Sequence, residues 1–154
     1  MALLKKGDPA PSFEGRDQNG EIVDSKKLRG KKIILYFYPK DMTPGCTDEA
    51  CSLRDSHKEI SGKGFVVIGV SADDEESHRK FIDKHQLPFT LIADTDHQII
   101  KSFGAWGEKK LYGRVYEGIL RSTFVINEKG IIEEVIEKVR TKEHAAQILS
   151  TIKT

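Results

Sequence analysis

Only two cysteines, Cys46 and Cys51, occur among the 154 residues. That excludes a disulfide-stapled secreted scaffold and a four-thiolate metal site, and it points to a reducing compartment, the cytoplasm. Long hydrophobic runs are missing as well. The longest, Ile33–Tyr38 and Phe65–Val70, have six residues each, far short of a bilayer span. Lys5 and Lys6 follow Met1-Ala-Leu-Leu at once, which leaves no room for the apolar core of a signal peptide. No charge of one sign dominates: 25 basic residues face 24 acidic ones, so nothing electrostatic calls for nucleic acid or an anionic membrane as partner. Repeats, low-complexity tracts and linkers are absent too. With 38% hydrophobic and 32% charged residues, the composition fits one domain spanning residues 1–154.

Asn19-Gly20 ahead of Ile22 and Val23 predicts an N-terminal hairpin. The basic cluster from Lys26 to Lys32 reads as a solvated turn beside a strand. Ile33–Tyr38 is a buried strand ended by Pro39, and Thr43-Pro44 reads as an N-cap with proline at the first helical position. Cys46, Ala50, Leu53, His57 and Ile60 then share one helical face, up to Gly62 and Gly64. Phe65–Val70 is a second strand. A helix carrying His78, Phe81, Ile82 and His85 follows, with Asp73–Glu76 suiting its start. Phe89–Ala93 is a third strand and 96–103 a short helix, while 104–118, with four glycines, reads as a long loop. Ser122–Asn127 and Ile131–Val139 form a hairpin, its second arm also open to a helical reading, and Ala145, Ile148, Leu149 and Ile152 mark a terminal helix. The order is thioredoxin-like: an α/β fold with a central mixed sheet, parallel crossovers first and antiparallel strands after.

Cys46 stands three residues after the Thr43 cap, where a capping box would place Glu or Gln. There its sulfur meets unpaired N–H groups and the positive end of the helix dipole, which favour thiolate over thiol. A buried structural cysteine is the other reading of that position. Cys51 lies five residues on; in an intact helix the two Cα atoms are roughly 8–9 Å apart. A disulfide needs less than about 7 Å, so a static bond is disfavoured and a transient one needs the first turns to unwind. Zinc finds no histidine pair at motif spacing among His57, His78, His85, His97 and His144, which read as surface or packing residues. The Gly107–Gly113 spacing lacks the Lys-Ser/Thr ending of a phosphate loop.

Pro39-Lys-Asp-Met-Thr43-Pro44-Gly45-Cys46 resembles the Pro-x-x-x-Thr-x-x-Cys motif of peroxiredoxins. With Thr47-Asp-Glu-Ala-Cys51, Phe103-Gly-Ala-Trp106 and Gly118-Ile-Leu-Arg121-Ser-Thr-Phe, the chain is similar to the bacterioferritin comigratory protein/peroxiredoxin Q branch over nearly its whole length. The resemblance implies a thiol-dependent peroxidase acting on hydrogen peroxide or alkyl hydroperoxides. Cys46 would be peroxidatic and pass through a sulfenic acid. Thr43 would bond the peroxide, Pro39 would shield the thiolate, and Arg121 would donate charge-assisted hydrogen bonds. Cys51 would resolve the sulfenic acid as an intramolecular disulfide, with thioredoxin or glutaredoxin as reductant. No cofactor or metal is implied, and a monomer is expected.

Independently of the family, Arg121 precedes its strand while Cys46 follows its own. The two meet only if those strands are antiparallel and close. The rival readings are a thioredoxin-like thiol–disulfide oxidoreductase and a non-enzymatic redox sensor or holdase. The first lacks Cys-x-x-Cys and a proline just before Ser122; the second leaves Thr43 and Arg121 without a task.

Overall fold

Strand β3 (Lys32–Phe37) runs inside a seven-stranded mixed sheet with all but its first residue buried. Its side chains alternate between two cores, as a pleated strand requires. Ile34 and Tyr36 join Leu53, Ile60, Phe81 and Ile148 on one face, and Leu35 and Phe37 join Ile99, Phe103 and Phe124 on the other. The computed structural model that reveals this arrangement describes residues 3–152.

The predicted N-terminal hairpin is present as β1 (Glu14–Arg16) and β2 (Ile22–Asp24), with Gly20 at φ +78° in the connection. After β3 come α1 (Pro44–Asp55) and α2 (His57–Gly62), then β4 (Phe65–Ser71) parallel to β3. Helix α3 (Glu75–His85) leads to β5 (Thr90–Ala93), parallel to β4, and on to α4 (Gln98–Ser102). Two-stranded sheet β6 (Trp106–Leu111) and β7 (Arg114–Ile119) follows. Strand β8 (Ser122–Ile126) is antiparallel to β3, β9 (Ile132–Ile136) is antiparallel to β8, and α5 (His144–Thr151) closes the described chain. The sheet order is β2-β1-β5-β4-β3-β8-β9. This is the thioredoxin-like order, and the second arm of the last hairpin is a strand.

Two local expectations are corrected. The helix read as continuous from Pro44 to Gly62 is interrupted at Ser56, whose φ/ψ of −108°/9° leaves the helical region. Asp55 and Ser56 are weak helix formers whose side chains compete for nearby backbone groups, while Ile60 still returns to the core beyond the break. The stretch 104–118 is not a loop: β6 and β7 pair over six positions around a two-residue turn, Tyr112-Gly113, both at positive φ. Such a turn matches the twist of a hairpin. Most of β7 is exposed, so the hairpin projects without the buried alternation that betrays a strand in sequence. Thr43 is the N-cap of α1 and Pro44 follows at its first turn, as expected.

Candidate active site

Helix α1 begins where the chain leaves β3, and β8 runs beside β3 in the opposite direction, with Phe37 opposite Ser122. That register sets Arg121, one residue before β8, at the mouth of α1. Arg121 Nη2 donates to Cys46 Sγ at 3.2 Å, and Nη1 donates to Glu49 Oε1 at 2.6 Å. Gly45 makes room for this approach, since a Cβ there would lie 3.3 Å from Nη2. Cys46 itself is 1% exposed. Arg121 is held firmly in its charged form: burial opposes the charge, but the Glu49 carboxylate and the Cys46 sulfur outweigh it.

Thr43 occupies the cap position but makes no cap bond with its side chain. Its hydroxyl donates instead to the Lys40 carbonyl at 2.8 Å. Pro44 has no N–H, and the Gly45 and Cys46 amides find no partner among the described residues, so the start of α1 offers free donors beside the sulfur. Pro39 is half-buried just beyond β3.

The loop between them is fixed from below. Asp41 is buried; its Oδ1 accepts from Tyr38 Oη at 2.6 Å and its Oδ2 from Ser77 Oγ at 2.8 Å, with His78 Nδ1 2.7 Å from Oδ2. Asp41 N donates to Asp73 Oδ2 at 2.8 Å. These bonds hold Met42 at φ +66°, a left-handed conformation that costs a side-chain-bearing residue about 1–2 kcal/mol.

Glu49 was not singled out from the sequence as a site residue, although a carboxylate on the same helical face as Cys46, Ala50 and Leu53 is the signal that marks it. It is fully buried, and burial lifts its carboxyl to about 7 despite the opposing charge and hydrogen bond of Arg121. Glu49 Oε2 has no hydrogen-bond partner among the described residues. His144 Nε2 is 3.5 Å away, but this is no ion pair. Burial, with a contribution from Arg121, lowers His144 to about 4. Its Nδ1 donates to Gln147 Oε1 at 3.0 Å, so Nε2 is left to accept the Thr123 hydroxyl at 2.7 Å. Tyr36 Oη is likewise buried and unpartnered.

Cys51 is not brought to Cys46. It sits on the half-exposed side of α1, both thiols are free, and the helix between them is intact. Cys46, Glu49 and Arg121 thus form one cluster, with Cys51 outside it; Thr43 and Pro39 lie in the segment that joins β3 to α1. A buried sulfur facing a guanidinium and free amide donors is arranged to stabilise negative charge on sulfur and on an oxygen bonded to it.

The AhpC/TSA family matches residues 6–135 of the chain. Peroxiredoxin Bcp of Bacillus subtilis is 48% identical, over 97% of this chain and 96% of its own. Peroxiredoxin Bcp of Escherichia coli K12 is 45% identical, over 99% and 98%. Among solved structures, peroxiredoxin Q of Xanthomonas campestris superposes with a TM-score of 0.84 at 33% identity, covering 90% of this chain and 87% of that one. BcpB of Mycobacterium tuberculosis gives 0.85 at 31% identity over 98% and 99%. With sequence likeness running the whole length and the fold shared, the chain belongs to the AhpC/TSA family, in its Bcp/peroxiredoxin Q branch, and is a thiol-dependent peroxidase.

Proposed function

We propose that Cys46 carries the peroxidase reaction and Cys51 completes it. The observation that supports this most directly is the 3.2 Å bond from Arg121 to Cys46 Sγ. The thiolate attacks one peroxide oxygen, the S–O bond forms as the O–O bond breaks, and the departing oxygen takes up a proton to leave as water or alcohol. Arg121 opposes the charge on sulfur before attack and on the leaving oxygen during it, a task that suits a cation which does not titrate. Thr43 orients the peroxide through its hydroxyl, and Pro39 keeps water from the sulfur.

The sulfenic acid is neutral, so the attraction that holds Cys46 against Arg121 weakens once it forms. The N-terminal turns of α1, which lack a side-chain cap, then unwind and carry Cys46 to Cys51. The resulting intramolecular disulfide is returned to two thiols by a dithiol reductant, thioredoxin or glutaredoxin. All of this needs one chain only, so residues 1–154 act as a single domain and a monomer in a reducing cytoplasm. Among the described residues no helix is long and apolar enough to cross a membrane.

The test is NADPH consumption with thioredoxin, thioredoxin reductase and hydrogen peroxide. Cys46→Ser is expected to abolish turnover. Cys51→Ser should undergo one fast oxidation and then stop cycling. Full peroxidase activity in Cys46→Ser would overturn the assignment.

A further inference from the structure

The outer side of α1 makes a contact that the chemistry above leaves unused. Cys51 Sγ lies 3.9 Å from Nδ1 of His85, the last residue of α3. Neighbouring residues hold the pair in place. Arg54 donates from Nη1 to the His85 carbonyl at 2.8 Å, and the His85 ring stands edge-on to buried Phe81 at 5.4 Å between centroids. Two further anchors fix the same part of α1. Leu53 is buried in the core, and Ser52 Oγ accepts from Ala145 N at 3.0 Å. When the first turns of α1 unwind, these anchors keep Cys51 beside His85.

Resting on the assignment of Cys51 as the resolving thiol, we propose that His85 is the general base of the resolving step. With its proton on Nε2, His85 takes the Cys51 proton at Nδ1. The Cys51 sulfur then attacks Cys46 Sγ of the sulfenic acid. The S–S bond forms, the S–O bond breaks, and hydroxide leaves with the electron pair. That hydroxide takes up the imidazolium proton, so the products are a disulfide and one water. Nothing outside the chain is oxidised or reduced in this step.

The surroundings keep the imidazole ready to accept. Desolvation, then the cations of Lys84 on its own helix and Arg54 on α1, lower His85 from its ordinary value. Asp55 accepts from Arg54 Nε at 2.9 Å at the same junction.

The experiment mixes reduced enzyme with one equivalent of hydrogen peroxide and quenches with acid. Mass spectrometry then follows sulfenic acid and disulfide separately across pH 5–9. In His85→Phe, which keeps an aromatic ring against Phe81, sulfenic acid should form at the parent rate while disulfide formation slows about 10²-fold. The His85→Gln variant should behave the same way. The low-pH limb of the second phase, set by the imidazole, should vanish in both. Added imidazole should restore part of the rate in His85→Ala. A second phase within about two-fold of the parent in His85→Phe overturns the proposal, and so does equal slowing of both phases. The Cys51→Ser enzyme separates the two readings. If it accumulates sulfenic acid, the resolving assignment stands whatever His85 does. If its second phase is intact, that assignment fails and the proposal with it.

Discussion

Replacing Glu49 by glutamine should remove a pH-dependent cost from the fold. Burial raises the Glu49 carboxyl from 4.5 to about 7, whereas in the unfolded chain the group ionises near its ordinary value. Between those two values the folded protein holds a proton that the unfolded chain has lost, so stability falls as pH rises and levels off above about 7. At about 1.4 kcal/mol per pH unit the full cost is about 3 kcal/mol, of which about 2–3 kcal/mol develops between pH 5 and 8. Glutamine has nearly the same shape, keeps an oxygen for Arg121 Nη1 and has nothing to titrate. The measurement is urea unfolding at pH 5, 6, 7 and 8, comparing Cys46→Ser with Cys46→Ser/Glu49→Gln. The serine background keeps thiol titration beside Arg121 out of the comparison. The double variant should gain on its parent from pH 5 to about 7, and the gain should flatten towards pH 8. A difference constant to within about 0.5 kcal/mol over that range would refute the argument, because a carboxyl already ionised at pH 5 carries no such cost.

Arg121→Lys should lower the second-order rate of Cys46 oxidation by about 10²-fold, measured by stopped flow on the reduced enzyme. One ammonium does not reproduce a planar fork that meets Sγ at 3.2 Å and Glu49 Oε1 at 2.6 Å through separate nitrogens. Gly69→Ala should cost about 1–3 kcal/mol in urea unfolding with an unchanged denaturant slope. The added Cβ would lie 2.7 Å from Leu91 Cδ2 and 2.8 Å from Tyr36 Cζ, both inside the packed face of the sheet.

What can be read from sequence alone depends on how strongly burial patterns it. Ile33–Tyr38 and Phe65–Val70 are uninterrupted apolar runs because parallel strands are covered on both faces, and they were readable at once. The meeting of Cys46 and Arg121 followed from strand direction, and the register of β3 against β8 delivers it. The β6–β7 hairpin escaped because its exposed residues carry no such pattern and its glycines suggested a loop. The hydroxyl of Thr43 turns back to Lys40 rather than capping α1, a choice set by the loop held under it. A carboxylate on the buried face of α1 marks Glu49 as unusual, but its partner is a guanidinium 72 residues away, which the helix pattern does not report.

The antiparallel pairing of β3 with β8 also orders events in time. Cys46 and Arg121 are 75 residues apart in the chain. At about 5–20 residues per second, a ribosome adds the arginine about 4–15 s after the cysteine. Throughout that interval the nascent thiol has no guanidinium beside it, and the contact waits further until β8 docks. The charge that faces the Cys46 sulfur therefore arrives only when β8 pairs with β3, after the segments that form β3, β4 and β5 have been synthesised.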